Sequence, residues 1–257
     1  MGFRRVFLCA FLVGCGAGRG GEDTSRTSQA LDQCTSGTVE GIDVFDGQGS
    51  IDWPTVAADG IRFAMIKATQ GTYDTQSTFA YNWAEGGAAG IYRGAYHFFD
   101  PTEDGVLQAR YFLSVVGHSA PDDLPPMLDV ECPDGDDDCL NPGQSGQAAP
   151  GDIRTRIQNF LATVEQSTGK KPILYTFASY FAQSGVDATG LDAYPLFIAY
   201  PTSSGCFELP SPWSQAVMWQ YSWTGSVSGI GVAVDRDRFL GTSAGLEAFA
   251  GMSHGCP

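Results

Sequence analysis

Short apolar runs alternate with helix-like segments through most of the chain, beginning at Val39. Apolar runs bounded by glycine, proline and acidic residues predict strands, and their alternation with helices is typical of a largely parallel sheet. Eight successive strands with intervening helices favour an α/β fold in which the sheet closes into a barrel. The predicted strands cover residues 39–45, 62–68, 93–99, 126–131, 172–177, 196–200, 216–221 and 232–235.

The clearest helix is predicted over residues 152–167, where apolar side chains recur at the spacing of one helical face. Asp152 is expected to cap its N-terminus, and Gly169 followed by Pro172 is expected to end it. Shorter helices are predicted at residues 82–86 and 106–116. The apolar face of the long helix consists of Ile153, Ile157, Phe160, Leu161 and Val164.

The first residues have the pattern of an export signal. Arg4 and Arg5 precede an apolar run at residues 6–13 that is too short to span a bilayer. The sequence Leu12-Val13-Gly14-Cys15 resembles a bacterial lipobox, in which the signal is cut before the cysteine and the cysteine is acylated. The alternative is an ordinary signal peptide that happens to contain Cys15.

These features divide the chain into four parts. We expect a lipoprotein signal peptide at residues 1–14 and a lipidated, flexible tether at residues 15–38, which is rich in Gly, Ser, Thr and Arg. A folded domain at residues 39–250 and a short tail at residues 251–257 follow. The predicted location is the bacterial cell envelope, in the periplasm or at the cell surface, with acyl chains holding the protein to a membrane.

Composition limits the partners that the domain can have. The chain has 257 residues, 43% of them hydrophobic, which is enough to bury one large core. A formal net charge of −15 argues against a nucleic-acid partner. Three histidines and the absence of a C-x-x-C motif disfavour zinc, and the acidic stretch Asp134–Asp138 lacks the glycine and glutamate of an EF-hand loop. We expect a monomer with no metal and no cofactor.

Export changes how the cysteines are interpreted, because disulfides persist in an oxidising compartment. Cys132 and Cys139 close a short acidic loop and are the predicted pair. The other cysteines after Cys15 are Cys34, Cys206 and Cys256, which allow one further pair and one free thiol. The sequence leaves that second pairing open.

Two carboxylates end the fourth predicted strand. Asp129 and Glu131 are two residues apart, so in a strand their side chains project from the same face. Taken alone, such a pair more often marks the point where a strand meets water. Crowded carboxylates repel each other and lose hydration, so at least one is expected to have a raised pKa and to suit general acid catalysis.

Other acids and several aromatic residues also lie near the ends of predicted strands. In a parallel barrel the C-terminal ends of the strands form the open mouth, where working residues collect. Each aromatic residue taken singly is more often part of a core, but together with the acids they offer flat surfaces for sugar rings. Carboxylates and aromatics in an exported protein therefore indicate a carbohydrate substrate. The residues placed at this mouth are Asp43, Tyr96, His97, Asp129, Glu131, Tyr175, Tyr200, Trp219, Gln220, Tyr221 and Asp235.

The same residues lie in motifs that resemble those of the glycoside hydrolase family 25 lysozymes, the N-acetylmuramidases. The run Gly41–Trp53 resembles the opening of that family, and further matches follow in the family's order. The resemblance implies that residues 39–250 are a catalytic domain built on a single irregular β/α (TIM-like) barrel. The further motifs are Phe63–Thr69, Gly94–Phe98, Leu128–Glu131, Pro172–Thr176, Trp219–Tyr221 and Val234–Asp235.

The resemblance implies hydrolysis of the β-1,4 bond between N-acetylmuramic acid and N-acetylglucosamine in peptidoglycan glycan strands. On the matching positions, Glu131 is the general acid and Asp129 orients the acetamido group of the substrate. Asp43 and Asp235 hold the sugar and tune the charge. The expected outcome is retention through the acetamido route, with direct attack by Asp129 left open. Lys67 and the aromatic residues of the mouth are assigned to substrate binding, together with His97.

Three positions depart from the family's pattern. Gln70 stands where glutamate is usual, Asp237 where asparagine is common, and Phe197 where tryptophan is common. None of them belongs to the D-x-E pair. We therefore expect them to affect substrate preference and pH optimum more than activity itself.

Two other functions fit the sequence less well. Gly241–Gly245 satisfies the G-x-S-x-G pattern of serine hydrolases, but Glu247 and His254 lie in the same short tail instead of on separate elements. A lipid-anchored, non-catalytic peptidoglycan-binding protein on the same fold is the second alternative. The presence of four acids argues against it, because crowded charges cost desolvation energy that simple binding does not require.

Overall fold

A closed barrel of eight strands forms the centre of the protein. The computed structural model describes residues 37–118, 120–132, 148–202 and 205–251. The strands are β1 (Val39–Val44), β2 (Phe63–Gln70), β3 (Asp74–Thr75), β4 (Tyr92–Phe98), β5 (Met127–Asp129), β6 (Ile173–Phe177), β7 (Leu196–Ala199), β8 (Met218–Gly225) and β9 (Val234–Phe239). The ring runs β1-β2-β4-β5-β6-β7-β8-β9 and closes between β9 and β1, while the two-residue β3 pairs with the end of β2.

The barrel confirms the predicted architecture, although β9 differs from it in direction and β5, β8 and β9 differ in length. Neighbouring strands from β1 to β8 are parallel, whereas β9 runs antiparallel to both β8 and β1. The strand β9 extends to Phe239, four residues beyond its predicted end at residue 235. The sequence Asp235–Arg238 alternates acidic and basic residues, so no apolar run marks this part of the strand.

Alternate residues of each strand face the barrel interior and form an apolar layer beneath the open mouth. In β1, Gly41 lies opposite Phe63 of β2, and a Cβ atom at this glycine would lie 2.3 Å from the phenylalanine ring. The glycine therefore leaves the space that Phe63 fills. The other faces of the strands pack against the helices. The interior layer includes Phe63, Met65, Met127, Ile173, Phe197, Met218 and Phe239.

Six α-helices are described, most of them around the barrel. The longest buries the predicted apolar face, but it starts after Ala149 with Pro150 at its first position, which corrects the assignment of Asp152 as its cap. Gly169 ends it with φ 68°, as predicted. The helices are α1 (Trp53–Ala58), α2 (Phe79–Ala88), α3 (Gly105–Val116), α4 (Pro150–Thr168), α5 (Tyr180–Ser184) and α6 (Ser243–Ala250), with 3-10 turns at Asp46–Gln48 and Leu191–Ala193.

The helix α6 covers the floor of the barrel, and one buried lysine forms hydrogen bonds to it and to a neighbouring loop. Leu246 and Phe249 of α6 pack into the interior layer. Lys170, which is 4% exposed, donates from Nζ to the backbone carbonyls of Pro121 and Ala250 at 2.9 Å, and also to those of Ala120 and Asp123. Four carbonyl oxygens replace the water that an ammonium group requires. Three separate segments of the chain therefore meet at a single atom.

Several predicted features lie outside the described residues. They are the signal peptide, nearly all of the tether, Cys15, Cys139, the acidic loop at residues 134–138 and most of the tail. Within the described ranges, Cys132 and Cys206 are each in a disulfide bond, and the pairing of Cys132 with Cys139 stays a prediction. None of the helices in the described part of the chain is both long and apolar enough to span a membrane.

Candidate active site

An open cleft of about 1250 Å³ occupies the mouth of the barrel. Five carboxylates line it, and the four that the sequence assigned to catalysis come from three parts of the chain that are distant in sequence. Asp43 lies near the end of β1, Asp129 is the last residue of β5, and Glu131 follows two residues later. Asp235 is the second residue of β9. The structure therefore brings together all four acids that the sequence assigned to catalysis.

The reversed direction of β9 explains the position of Asp235. In a fully parallel barrel this residue, so close to the start of its strand, would lie at the floor. Because β9 runs antiparallel, its N-terminal end meets the C-terminal ends of the other strands, and Asp235 pairs directly with Asp43 in the register of β1 and β9. Asp235 therefore lies at the predicted rim, but at the start of its strand and not at the end, where the sequence placed it.

The environment of Asp129 disfavours its ionised form. It is 5% exposed, and its Oδ1 is buried with no hydrogen-bond partner. Burial raises the pKa of Asp129 well above its usual value, and the nearby charge of Glu131 raises it further, while Lys67 acts in the opposite direction. Two adjacent carboxyl groups in such a site hold a proton between them. The carboxyl group with a raised pKa that the sequence led us to expect is therefore Asp129.

Asp43 is held by a neighbouring amide. Burial raises the pKa of Asp43 to about 6, and a hydrogen bond from Gln220 opposes that rise. The Nε2 of Gln220 donates to Oδ2 of Asp43 at 2.8 Å and to Oδ2 of Asp235 at 3.3 Å. A single side-chain amide therefore joins two of the four acids.

Lys67 lies on the wall of the cleft beside the acids. Its Nζ is 4.5 Å from the centre of the Phe98 ring and donates to Oε1 of Gln70 at 2.9 Å. Burial lowers the pKa of Lys67, while the charges of Asp129, Asp74 and other acids raise it. Gln70 is thus a neutral partner of the lysine at a position where a glutamate would form an ion pair with it.

Three of the predicted tyrosines line the cleft. Tyr96 and Tyr175 are buried at its base, and burial followed by the nearby acidic charges raises the pKa of each hydroxyl well above its usual value. Both hydroxyls are therefore neutral hydrogen-bond donors. Tyr200 lies at the end of β7 on the side wall. These positions agree with the residues placed at the mouth by sequence.

Three other residues assigned to substrate binding do not line the cleft, which corrects their assignment. His97 is fully buried outside the barrel wall, bonded to Thr69 at 2.7 Å and stacked on Phe160, and burial lowers its pKa to about 4. Trp219 and Tyr221 face outward, because they flank the inward-facing Gln220 in β8. Successive residues of a strand point to opposite faces.

Among the residues in the cleft to which the sequence gave no role are Gln220, Phe45 and Trp223. Gln220 is 2% exposed and contacts two of the acids. Phe45 and Trp223 line the cleft with rings that are 45% and 57% exposed. Exposed aromatic rings that line a groove offer flat apolar faces of the kind that contact sugar rings. The period-two pattern of β8, with Met218 facing inward, was the signal that could have identified Gln220.

The chemistry of the donors suits general acid catalysis more than metal binding. Within the described residues, no cluster of three or more histidine, cysteine or acidic side chains has the arrangement needed to hold a metal ion. The cleft instead combines crowded carboxylates, one lysine, tyrosine hydroxyls and exposed aromatic rings. A carboxyl pair in an open groove on a β/α barrel is the arrangement of a glycoside hydrolase.

Comparison with known proteins agrees with this class. The family model of the Glycosyl hydrolases family 25 matches residues 42–230, which include Asp43, Asp129 and Glu131. The chain therefore belongs to glycosyl hydrolase family 25, and it is a glycoside hydrolase of the lysozyme type.

Relatives from bacteria and fungi cover nearly the whole domain. Lysozyme M1 of Streptomyces globisporus is 38% identical over 240 residues, which are 91% of this chain and 77% of that protein. An N,O-diacetylmuramidase of Chalaropsis sp is 32% identical over 216 residues, which are 80% of this chain and 100% of that protein. The crystal structure of a lysozyme from Streptomyces coelicolor superimposes with a TM-score of 0.75 at 38% identity, covering 84% of this chain and 98% of that one.

Proposed function

We propose that this hydrolase cleaves the β-1,4 bond between N-acetylmuramic acid and N-acetylglucosamine in peptidoglycan, with retention of configuration and with help from the acetamido group of the substrate. The observation that carries the proposal is the carboxyl pair of Asp129 and Glu131 at the base of an open cleft. The names of relatives such as the N,O-diacetylmuramidase support the choice of muramic acid.

Glu131 is the general acid in this proposal. Burial and the charge of Glu131 raise the pKa of Asp129, which favours a state in which the two carboxyl groups share one proton. With that proton on Glu131, the group donates it to the oxygen of the departing sugar as the glycosidic bond breaks. Asp129 is then ionised, and the positive charge of Lys67 favours that form.

Asp129 orients the acetamido group. Its carboxyl group lines the cleft next to Glu131, and an ionised carboxylate accepts hydrogen bonds from donors on a bound substrate. The acetamido N–H of the sugar is a donor of the required kind. Accepting from that N–H makes the acetamido oxygen more nucleophilic as it attacks the anomeric carbon, and water then opens the cyclic intermediate with Glu131 as the base.

The remaining cleft residues hold the sugars. Asp43 and Asp235 lie beside the carboxyl pair, where they accept hydrogen bonds from sugar hydroxyls and favour a positively charged transition state. The exposed rings of Phe45 and Trp223 offer apolar faces for the sugar rings on either side of the bond.

Digestion of purified peptidoglycan tests this proposal. Mass analysis of the new reducing ends should find N-acetylmuramic acid with the wild-type protein. The Glu131→Gln variant should release them about 10³-fold more slowly, because general acid catalysis contributes factors of this size. The matched control is Glu247→Gln, which changes an exposed acid on α6 and should retain full activity.

Two results would overturn different parts of the proposal. Glucosamine reducing ends, or equal rates for the wild type and Glu131→Gln, contradict the assignment of bond and acid, and a wild type that binds the wall without cleaving it supports a binding protein instead. Strands whose muramic acid lacks the N-acetyl group should resist cleavage. Their efficient cleavage would favour direct attack by Asp129.

We also propose that the protein is an exported, acylated lipoprotein that acts as a monomer at the cell envelope. The lipobox-like sequence ending at Cys15 and the apolar run before it support this. Metabolic labelling with a fatty acid should mark the wild type but not Cys15→Ser, and only the wild type should sediment with membranes. Equal labelling and sedimentation of both would contradict the anchor.

A further inference from the structure

The side chain of Gln220 forms a complete set of hydrogen bonds inside the cleft. Its Nε2 donates to Asp43 at 2.8 Å and to Asp235 at 3.3 Å. Its Oε1 accepts from the hydroxyl of Tyr175 at 2.8 Å and from Nε1 of Trp223 at 2.8 Å. An amide group offers two donors and two acceptor positions. All four are used, and the residue is only 2% exposed.

The partners of the amide leave it one orientation. The indole nitrogen of Trp223 is a donor only, so it must face the oxygen of Gln220. The NH₂ group then points to the two carboxylates, which accept hydrogen bonds when ionised. Turning the amide over would place its NH₂ against the indole N–H and its oxygen against the carboxylates. That arrangement would lose the hydrogen bonds to Trp223, Asp43 and Asp235.

We propose that Gln220 is a positioning residue that fixes Asp43 and Asp235 in one geometry and links that geometry to the indole of Trp223 at the mouth of the cleft. The inference deepens the proposed function and rests on it for its effect on catalysis. Its structural part is the set of hydrogen bonds that join Gln220 to Asp43, Asp235 and Trp223, and these form without substrate.

Several charged and titratable groups lie around the two carboxylates. Burial is the main cause of the raised pKa of Asp43, and the hydrogen bond from Gln220 is the contact that opposes it. Loss of the amide should therefore raise that pKa further. The charged and titratable groups facing this part of the cleft are Asp235 and Asp237 from β9, Lys67 from β2, Tyr96 from β4, Asp129 and Glu131 from β5 and the residues after it, and Tyr175 from β6.

Two variants separate the parts of this network. Gln220→Met keeps the length of the side chain and removes both NH₂ donors. Trp223→Phe keeps an aromatic ring at the mouth but removes the N–H that holds the amide oxygen. A matched control is Gln76→Met, because Gln76 lies outside the cleft yet also donates to a carboxylate, Asp74, at 2.7 Å and accepts from a backbone N–H at 2.9 Å.

Two measurements on these proteins test the inference. Carbon-13 NMR of the aspartate carboxyl groups follows the titration of Asp43 directly, and the pH profile of kcat/KM on peptidoglycan follows its effect on catalysis. In Gln220→Met the Asp43 titration and the acidic limb of the profile should both move up by about 1 pH unit. Trp223→Phe should move them in the same direction by less, and Gln76→Met should leave both in place.

The outcomes distinguish the inference from the proposed function. An unchanged Asp43 titration in Gln220→Met overturns the inference, as does an equal shift in Gln76→Met. A change in KM alone, with an unaltered pH profile, also overturns it, because a simple loss of substrate contact would have that effect. If the wild type releases no sugar ends, the proposed function fails, while the NMR titration still decides whether Gln220 controls Asp43.

Discussion

The two faces of strands β1, β8 and β9 differ in how their acidic side chains are paired. On the outer face, Glu40 accepts from Arg236 at 2.7 Å and from Arg238 at 2.9 Å, and the hydroxyl of Tyr221 donates to it at 2.7 Å. Partial burial acts to raise the pKa of Glu40, but the hydrogen bonds from Arg238, Tyr221 and Arg236 outweigh it and hold the pKa below its usual value.

The inner face of the same strands collects acids without arginines. Asp43, Asp235 and Asp237 face inward between the positions of Glu40, Arg236 and Arg238. Asp237 is fully buried, and neither of its carboxyl oxygens has a hydrogen-bond partner. Burial raises the pKa of Asp237 well above its usual value, and the charges of Asp43 and Asp235 raise it further.

The outer acid is paired with arginines, and the inner acids are not, and this difference corresponds to different effects on stability. An acid that is matched by arginines contributes to stability, whereas acids gathered without such partners oppose folding and persist where chemistry uses them. The outer cluster also lies where a β8–β9 hairpin replaces the usual strand–helix–strand connection. Its ion pairs and aromatic stacking cover a side of the barrel that the hairpin leaves without a helix between these strands.

The largest expected effect comes from removing the charge of an inner acid. Asp129→Asn should lower kcat/KM on peptidoglycan by about 10³-fold, because the acetamido group then lacks its anionic partner. Steady-state kinetics measure this loss, and thermal unfolding should show that the variant is at least as stable as the wild type. A loss below tenfold would mean that Asp129 is not in the reaction.

A smaller loss is expected when the cation beside the inner acids is removed. Lys67 lowers the pKa of Asp129, so Lys67→Met should raise it and reduce kcat/KM by about tenfold near neutral pH, with an optimum at higher pH. The pH profile of kcat/KM measures both changes. Lys171→Met is the control, because its Nζ lies 5.6 Å from the Tyr194 ring, outside the cleft. An unchanged pH optimum of kcat/KM would show that Lys67 does not control the pKa of Asp129.

Changing the outer acid should affect stability and leave catalysis intact. Glu40→Gln should lower the free energy of unfolding at pH 7 by about 1–2 kcal/mol, the value of charge-assisted hydrogen bonds at a partly exposed site. Because the folded-state pKa of Glu40 is lowered, its contribution is present above its unfolded value and is lost as the pH falls through the folded value. Denaturant titrations from pH 7 to pH 3 should therefore converge for variant and wild type.

The smallest expected effect has the opposite sign. The folded-state pKa of Asp237 is raised, so its contribution is fully present below the unfolded value and declines as the pH rises toward the folded value. Asp237→Asn removes that decline and should increase the free energy of unfolding at pH 7 by about 1 kcal/mol relative to the wild type. Equal pH dependence in the two proteins would show that Asp237 is ionised when folded.

The elements with apolar runs could be predicted from the sequence, whereas β9 could be predicted only in part. Strands β6 and β7 are buried on both faces, so their sequences are almost wholly apolar. In β9 the inward residues Asp235 and Asp237 alternate with the outward residues Arg236 and Arg238, so the pattern of this stretch depends on partners from other strands. A single sequence does not show those partners.

The candidate site shows the same division. The four acids could be predicted because each one lies within a few residues of a strand end. The faces of adjacent residues could not be predicted in this way, so substrate binding was assigned to Trp219 and Tyr221, although Gln220 is the residue that faces inward. For the same reason His97 was assigned together with Tyr96. The face depends on strand register, which the barrel sets through long-range pairing.

The hydrogen bonds of Lys170 affect the order in which segments of the protein unfold. A helix at the end of a chain usually frays independently and exchanges its amide hydrogens early. Here the ammonium group of Lys170, in the turn that leads into β6, donates to the carbonyl of Ala250 in α6. It also donates to carbonyls of the segment before β5. Release of the helix would leave a buried charge without full solvation, so we expect the three segments to lose protection together, as one cooperative unit.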